Sequence, residues 1–445
     1  MFKKFTNGCV ALVNKYLPDP FLFAIILNAI VFIAGIIFTG QGPLTMIKHW
    51  GNGFWSLLLF SMQMVLVLVL GSAMAQAPLF KNLLKKIASL AKTPGSAILI
   101  TTFIATLACW INWGFGLIIG ALLAREMAKQ VKGVDYRLLI ASAYSGFLVW
   151  HGGLSGSIPL TIASETGLVA TGGALTTPIP TSETIFSPLN LAIVISILLL
   201  MPIVTRAMHP TPDKTITIDP SLLHDEPLKE YEIKTPADKL EHSKILWLIL
   251  LAFGFIYIVY YFSENGFNLS LDIVNMIFLF VGILLHGDLR RYIDAISEAT
   301  AGASGIILQF PFYAGIMGMM TGAAEGATSL AGVISTAFVN MSNDNTFPLF
   351  TFLSAGIVNI FVPSGGGQWA VQGPIMMPAG SELGVPAAKT ALAIAWGDAW
   401  TNMIQPFWAL PALGIAGLGA RDIMGYCIIT LLLSGAIASV AFLLL

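Results

Sequence analysis

The sequence predicts an all-α polytopic membrane protein, organised as an inverted repeat with about nine transmembrane helices and two re-entrant hairpins. Hydrophobic residues make up 56% of the 445-residue chain, whereas charged residues make up only 10%. A soluble domain carries roughly 25% charged residues, so most of this surface is expected to face lipid. Glycine-rich polar breaks also interrupt hydrophobic segments at corresponding places in the two halves of the chain, which indicates an internal repeat.

About nine segments are long and apolar enough to cross a hydrocarbon core of roughly 30 Å. Two of these segments contain polar breaks and are predicted to be broken helices. The first apolar run follows a basic start, MFKKF, and is longer than the apolar region of a signal peptide, so we expect it to be retained as a span. The unbroken segments are 18–39, 54–77, 188–208, 244–263, 271–286, 301–322 and 422–445, and the broken ones are 137–160 and 386–418.

Segments 98–126 and 347–380 are predicted to be re-entrant hairpins. Each contains two apolar arms of about ten residues around a glycine-rich tip, and an arm of that length is too short to cross the bilayer as a helix. Helices at 79–92 and 329–341 are predicted to lie at the membrane surface and to lead into the hairpins.

The distribution of lysine and arginine supports this topology. Basic residues in the N-terminal segment, in 79–92, in 125–137 and in 209–243 all fall in the cytoplasm when 98–126 is a hairpin. If 98–126 crossed the membrane as a full span, every later loop would change sides and the lysine-containing segment 209–243 would lie outside. We therefore predict a multi-pass protein of the cell inner (plasma) membrane with its N-terminus in the cytoplasm.

This topology divides the chain into two repeats of opposite orientation. Each repeat runs through spans, a surface helix, a hairpin, a broken helix and a closing span. The boundaries are 1–208 for the first repeat, 209–243 for a cytoplasmic linker, 244–270 for a connector helix and 271–445 for the second repeat.

The four polar breaks define a candidate binding site. They are INWGFG (111–116) and WHGGLSGSIP (150–159) in the first half, and VPSGGGQW (362–369) and WGDAWTNMIQPFW (396–408) in the second. An unpaired backbone N–H or C=O in lipid costs several kcal/mol, so irregular backbone persists at membrane depth only where it lines an enclosed cavity. Paired breaks in two halves therefore predict a transporter with its solute site near the middle of the bilayer.

Charge and cysteine content exclude other functions. The formal net charge is −1, which gives no basis for binding a polyanion, so we expect no nucleic-acid partner. Cys9, Cys109 and Cys427 lie far apart without the spacing of metal ligands, and we expect neither a disulfide, a metal site nor a cofactor.

Seven motifs resemble the bacterial short-chain fatty acid transporters, the acetoacetate and butyrate uptake family. The resemblance implies uptake of a short monocarboxylate together with a cation, by an elevator-like motion of the hairpins and broken helices against a scaffold. A homodimer is expected by analogy, with membrane lipids as the other partner. The motifs are YLPDPF (16–21), GNGFWSL (51–57), CWINWGFGLIIGA (109–121), DYRLLIASAY (135–144), VPSGGGQWAVQGP (362–374), QPFWALPALGIAGLG (405–419) and RDIMGYC (421–427).

The breaks contain no lysine or arginine, so a carboxylate is expected to be held by helix N-termini and amide side chains. For the amides the alternative is a helix–helix hydrogen bond, and for the serine and glycines it is a tight turn without a bound solute. Two tryptophans, Trp113 and Trp369, are candidates to line the aliphatic part of the substrate. The polar substrate-binding candidates are Ser364, Gly365, Gly366, Gly367, Gln368, Asn112, Asn402 and Gln405.

A coupling cation requires a different set of groups. Asp398 is the only carboxylate in a predicted break and is a candidate cation ligand or proton carrier. Thr401, Asn402 and Asn112 offer oxygens suited to Na⁺. A monoanion that enters against 100 mV costs about 2.3 kcal/mol, which one co-transported cation cancels, so symport with H⁺ or Na⁺ is predicted.

Two alternatives stay open from the sequence. A cation/proton antiporter on the same scaffold would need more buried carboxylates than Asp398. An intramembrane serine hydrolase is suggested by GLSG (153–156) with His151 nearby, but GASG (302–305) matches the same signature in an unrelated place. We therefore predict that the protein is not an enzyme.

Overall fold

The computed structural model describes residues 2–16, 20–163, 168, 171, 175–223, 231, 233–266, 271–363 and 365–445. All regular elements in these residues are helices, as the all-α fold class predicts. The first half contains α1 (Phe2–Tyr16), α2 (Pro20–Thr39), α3 (Pro43–Gly53), α4 (Leu58–Gln76), α5 (Pro78–Ser89), α6 (Pro94–Ile111), α7 (Trp113–Gln130), α8 (Tyr136–Ser145), α9 (Ser157–Ile162) and α10 (Pro188–Ala207). The remainder contains α11 (Pro236–Glu241), α12 (Lys244–Asn265), α13 (Leu271–His286), α14 (Leu289–Thr300), α15 (Ser304–Thr321), α16 (Leu330–Asn340), α17 (Phe347–Phe361), α18 (Gly365–Glu382), α19 (Ala387–Thr401), α20 (Leu410–Ala416) and α21 (Ala420–Leu444).

The two halves contain the same elements in the same order. Helices α2 to α10 and helices α13 to α21 each run through a long helix, a short helix, a second long helix, another short helix, two hairpin arms, two parts of a broken helix and a closing helix. The short helices α3 and α14, of 11 and 12 residues, were not predicted. A hydropathy window long enough to detect a span does not detect short amphipathic helices of this kind.

Few helices meet a span criterion on their own. Among the described residues, four helices are long and apolar enough to cross a membrane: Pro94–Ile111, Pro188–Ala207, Pro236–Asn265 and Ala420–Leu444. Helices α14 and α15 meet the criterion only together, as a pair bent by 53°. Further apolar helical stretches of 10–17 residues, such as Ala24–Thr39 and Ser61–Met74, do not meet the criterion, so the predicted number of about nine spans stays a prediction.

The arms of both hairpins are longer than the sequence predicted: α17 and α18 have 15 and 18 residues, and α6 is itself long enough to cross a membrane, so the argument that an arm is too short to cross does not hold. Helices α6 and α7 have 18 residues each, not about ten, and at 1.5 Å per residue each is about 27 Å long. The prediction was too short because it ended the arms where the apolar residues end. The helices extend further, from the capping box of Thr93 with Ser96 through the polar segment that ends at Gln130.

Each hairpin is an antiparallel pair of helices. In the first, the backbone of Gly116 in α7 lies against that of Cys109 in α6. In the second, Gln368 Nε2 donates a hydrogen bond to the carbonyl of Ala355 at 2.9 Å. The tips of both hairpins therefore lie at the predicted breaks.

The broken helices contact the hairpins of the opposite repeat. Helix α20 of the second repeat packs on α7, and α9 of the first repeat packs on α18. The remaining long helices are exchanged between the repeats, which means that each packs on helices of the opposite repeat. Helix α4 packs on α13 and α14, and α15 packs on α2 and α3. The two repeats are thus interlocked, and neither half has its own separate core.

The described part of the linker is attached to the helices. The N–H of Ile216 donates to Asp135 Oδ2 at 2.9 Å, and the carbonyl of Ile216 accepts from the N–H of Tyr136 at 2.9 Å. Further along, His242 Nδ1 lies 2.8 Å from Oδ2 of Asp288, which caps α14. The linker is therefore fixed near its first end to the start of α8 and at its second end to the start of α14.

We expect Gly116→Ala to destabilise the first hairpin, because its Cβ would lie 2.3 Å from the Cys109 backbone nitrogen. Overpacking of this kind costs about 1–3 kcal/mol or more, and backbone cannot move aside as a side chain can. The melting temperature of the purified protein in detergent should fall clearly. Gly114→Ala in the same helix is the matched control, since its nearest neighbours are at 3.5 Å. Equal melting temperatures for the two variants would contradict this packing.

Candidate substrate-binding and coupling site

The tip of the second hairpin lies against the break of the first broken helix. Gly365 begins α18, and the preceding residue, Ser364, lies outside the described residues. A Cβ atom at Gly365 would lie 2.2 Å from Ser157 Oγ and 2.6 Å from His151 Cε1. Glycine is therefore required at this position, because any side chain would push the tip away from the break.

The tip of the first hairpin lies against the same break. The N–H of Trp113 donates to Ser155 Oγ at 3.1 Å. Asn112 Oδ1 accepts from the N–H of Phe115 at 3.0 Å and caps α7. Two backbone N–H groups at the start of α7 are thus satisfied by side chains, one by Asn112 of the hairpin tip and one by Ser155 of the broken helix.

The two broken helices are joined by a buried ionisable pair. Nε2 of His151, between α8 and α9, lies 3.3 Å from Oδ1 of Asp398 in α19. Neither side chain has exposed surface, and the His151 ring packs on Trp150 with centroids 3.6 Å apart. Neither group makes a hydrogen bond of normal geometry within the described residues. Ionisable groups at membrane depth mark ion and substrate pathways, so this pair is the strongest candidate for coupling.

Sequence reasoning selected Asp398 but missed His151 as its partner. It considered His151 only as part of a hydrolase signature. Asp398 was selected because an ionisable group in a broken hydrophobic segment is functional by default. His151 is also such a group, so the same reason would have selected it. Their pairing, in contrast, follows only from the contact between the two repeats.

A network of amides surrounds the second break. Asn359 Nδ2 donates to Thr401 Oγ1 and to Asn402 Oδ1, each at 3.0 Å. Thr401 Oγ1 donates to the carbonyl of Gly356 at 2.7 Å, and Gln405 Nε2 donates to Asn402 Oδ1 at 3.2 Å. Asn359, which was not selected from the sequence, and Thr401 together fix this part of α19 against α17.

The oxygens predicted to hold Na⁺ accept hydrogen bonds from the protein in this structure. Asn402 Oδ1 accepts from two amides, Thr401 Oγ1 accepts from one, and Asn112 Oδ1 accepts from a backbone N–H. Asn402 Oδ1 has both lone pairs engaged by these donors, so a cation bound to it would have to displace one of them. In this conformation the three oxygens stabilise helix ends and helix contacts.

Gln368 connects the second hairpin to its surroundings. In addition to its bond to Ala355, Gln368 Nε2 donates to Gln372 Oε1 at 2.8 Å. Gln372 Nε2 in turn donates to the hydroxyls of Ser335 and Ser354 at 3.0 and 2.9 Å. Gln368 Oε1 is buried without a hydrogen-bond partner in the described structure, so this amide retains one free acceptor.

Aromatic rings form an apolar cluster beside the pair. The ring of Trp113 lies 5.0 Å from Trp408 and 6.0 Å from Trp150 between centroids, and Phe147 stacks on Trp150 at 5.4 Å. The predicted substrate residue Trp369 is not in this group. It packs in a separate apolar cluster with Ile158 and Met376 in the described structure.

The site is closed in this conformation. Among the described residues, the polar side chains predicted at the second tip and break have no exposed surface, except that Thr401 is 3% exposed. At the tip, Gly365 is buried, Gly367 is half-buried and Gly366 is exposed. Because the exposed Gly366 directly follows the buried Gly365, the edge of the site lies at the tip of the second hairpin. The fully buried residues are Gln368, Asp398, Asn402 and Gln405.

Comparisons with known proteins give a consistent result. A family model described as Short chain fatty acid transporter matches residues 1–445. The chain is 47% identical over 440 residues, 98% of both chains, to an Escherichia coli (strain K12) protein named "Putative short-chain fatty acid transporter". It is 45% identical over 444 residues, again 98% of both chains, to a protein of the same name from Haemophilus influenzae (strain ATCC 51907 / DSM 11121 / KW20 / Rd).

Among solved structures, the chain is similar to the YdaH transporter of Alcanivorax borkumensis. The sequence identity is 17%, the TM-score is 0.45, and the match covers 96% of this chain and 97% of that chain.

The prediction that the protein is not an enzyme is confirmed, because the matched family and both relatives are transporters. Ser155, the serine of the hydrolase signature, instead accepts the hydrogen bond from Trp113 that joins the break to the first hairpin.

Ser155→Ala should therefore lower stability rather than remove an activity. It leaves the buried N–H of Trp113 without an acceptor, which costs about 1–3 kcal/mol. We expect a lower melting temperature in detergent and retained uptake by the folded fraction. Ser145→Ala is the control, because the Ser145 hydroxyl only donates to the carbonyl of Ser142 within its own helix. A stable Ser155→Ala protein without uptake would contradict the capping role.

Proposed function

This chain belongs to the short-chain fatty acid transporter family, and we propose that it takes up short monocarboxylates such as acetoacetate and butyrate by proton-coupled symport. The family match and the two full-length relatives support the substrate class. The observation that carries the coupling is the buried contact between His151 and Asp398, which joins the two broken helices.

Energetics favour coupling to a cation. A short carboxylic acid is ionised at neutral pH, and a monoanion that enters against 100 mV costs about 2.3 kcal/mol. One proton that moves with each anion cancels this cost and makes the cycle electroneutral. The proton gradient across a bacterial membrane then drives accumulation.

The geometry favours a proton over sodium. Asp398 faces an imidazole nitrogen, whereas a hard cation prefers a shell of oxygens. The other candidate oxygens, on Thr401, Asn402 and Asn112, already accept hydrogen bonds. No group of three or more histidine, cysteine or acidic side chains suited to a metal ion occurs in the described part of the chain.

The apolar cluster suits a short aliphatic tail. Trp150 packs on His151, and Trp113, Trp408 and Phe147 pack on Trp150, so the cluster offers rings and no charged group to the tail. One methylene contributes about 0.8 kcal/mol on burial, which is roughly a fourfold change in affinity. Selectivity among neighbouring chain lengths is therefore modest.

The architecture supports movement of the hairpins and broken helices as one body. The contacts that join α7 to α20 and α18 to α9 link these elements across the repeats, and the exchanged long helices α2, α4, α13 and α15 form a second group. An elevator-like displacement of the first group against the second would carry the buried site across the bilayer. The protein acts in the bacterial inner membrane, with a cytoplasmic N-terminus and a homodimeric scaffold.

In proteoliposomes, we expect an inward proton gradient to drive accumulation of radiolabelled acetoacetate and a sodium gradient to have no effect. Because one proton accompanies one anion, a membrane potential imposed with potassium and valinomycin should change the initial rate by less than about twofold. Protein-free liposomes control for passive entry of the neutral acid. Accumulation driven by sodium at equal pH on both sides would refute proton coupling.

A further inference from the structure

We propose that His151 binds the carboxylate of the transported acid, and that the acid and Asp398 replace one another on its imidazole. This inference rests on the proposed function and assigns the substrate-binding group, which the sequence analysis placed on helix N-termini and amides. In the empty site Asp398 occupies the position beside Nε2 that the acid takes when it is bound.

His151 is the basic side chain placed to do this. Among the hairpins and broken helices in the described residues, the other basic side chains are Arg125, Lys129, Arg137 and Lys389. Arg125 and Lys129 lie in the last turns of α7, and Arg137 lies beside Asp135 at the start of α8. Lys389 lies in the first turn of α19, more than two turns before Asp398. None of these four lies in a break.

The surroundings of the imidazole provide a place for a carboxylate. A Cβ atom at Gly365 would lie 2.6 and 2.7 Å from Cε1 and Nε2 of His151, so the hairpin tip covers the same edge of the ring that faces Asp398. Ser157 Oγ lies against the same glycine and is buried without a hydrogen-bond partner in the described structure. When the tip moves outward, an N–H and an O–H donor both face the space that it leaves.

The entrance to this space is the exposed end of the second hairpin. Gly366 follows the buried Gly365, is exposed, and has open space where a Cβ would be. A displacement of this tip therefore opens a path to the edge of His151, and the aromatic cluster packs against the ring at Trp150. Trp150 and its neighbours then receive the aliphatic tail.

Charge balance explains why acid and proton move together. In the empty site the pair holds one proton between His151 Nε2 and Asp398 and is neutral. On loading, a second proton enters with the acid, so that Asp398 is a neutral carboxylic acid and His151 is an imidazolium that pairs with the carboxylate of the acid, and the site is again neutral. On the other side the acid leaves, Asp398 releases its proton, and the original pair forms again.

Each uncoupled state carries an unpaired buried charge. Acid without the second proton leaves one negative charge, and the second proton without acid leaves one positive charge. Both are strongly disfavoured away from water. Only the empty site and the fully loaded site cross the membrane easily, which gives one proton for each acid.

The test is equilibrium binding of radiolabelled butyrate to purified protein in nanodiscs, with His151→Gln and Asp398→Asn. His151→Gln should bind at least about 100-fold more weakly, the loss expected when one partner of a buried charge pair is removed. Asp398→Asn should bind within about tenfold of the unmodified protein, because asparagine has the shape and neutrality of the protonated aspartic acid. Ser157→Ala should bind up to about tenfold more weakly, since it loses one hydroxyl donor.

The chain offers a matched control in its second histidine–aspartate pair. His242→Gln and Asp288→Asn make the same chemical changes in the linker pair, whose atoms are 2.8 Å apart, and both should bind butyrate normally. Melting temperature and size-exclusion profile verify folding, and His151→Asn repeats the test if His151→Gln is unstable.

Each outcome decides the inference. Normal binding by a folded His151→Gln or His151→Asn would overturn it and return the carboxylate to the helix N-termini. Loss of binding in both His151→Gln and Asp398→Asn, with normal controls, would overturn the exchange, because Asp398 would then be part of the bound site. If the unmodified protein bound no short monocarboxylate, the proposed function itself would fail.

Discussion

The structure depends on satisfying backbone polar groups where helices are interrupted inside a bilayer. Trp110 lies at the end of α6. Its carbonyl accepts a hydrogen bond from the N–H of Leu154, and the Trp110 indole donates to the carbonyl of Gly152. Asn190 of the closing helix donates to the same carbonyl of Gly152 and accepts from the indole of Trp396. The interruptions are therefore satisfied by one another, and this is why the hairpin, the break and the closing helix occur together.

Close approach of backbones turns this requirement into an interlocked fold. Gly152 fits between Asn190 and Trp396, Gly365 fits against His151, and at each position a Cβ atom would lie within 2.7 Å of a neighbouring atom. Since the contacts of Gly152 with Trp396 and of Gly365 with His151 cross from one repeat to the other, the candidate site contains groups from both repeats. Any movement of one hairpin tip then changes the surroundings of a residue in the opposite broken helix, which is what a coupled transporter requires.

Within this frame, one histidine and one aspartate supply charge while amides supply rigidity. Asn359 and Asn402 each form two hydrogen bonds through one side-chain atom and Gln372 bonds through both of its own, whereas in the described residues His151 and Asp398 lie 3.3 Å apart without a hydrogen bond of normal geometry. A group whose hydrogen bonds are complete tends to stabilise one arrangement, and a group with a single partner can change that partner at lower cost. These amides therefore hold the breaks in shape, and the ionisable pair is the part suited to a cycle.

The sequence by itself determined the all-α membrane class, the family and the location of the breaks, because hydropathy and glycine-rich polar motifs are local properties. It also selected Asp398, Gln368 and Gln405 as buried polar groups. It did not determine the lengths of α6 and α7, since helices continue past the end of an apolar run. Only the tertiary structure decided that His151 pairs with Asp398. A contact between residues in different repeats depends on how the helices cross, and no local pattern encodes it.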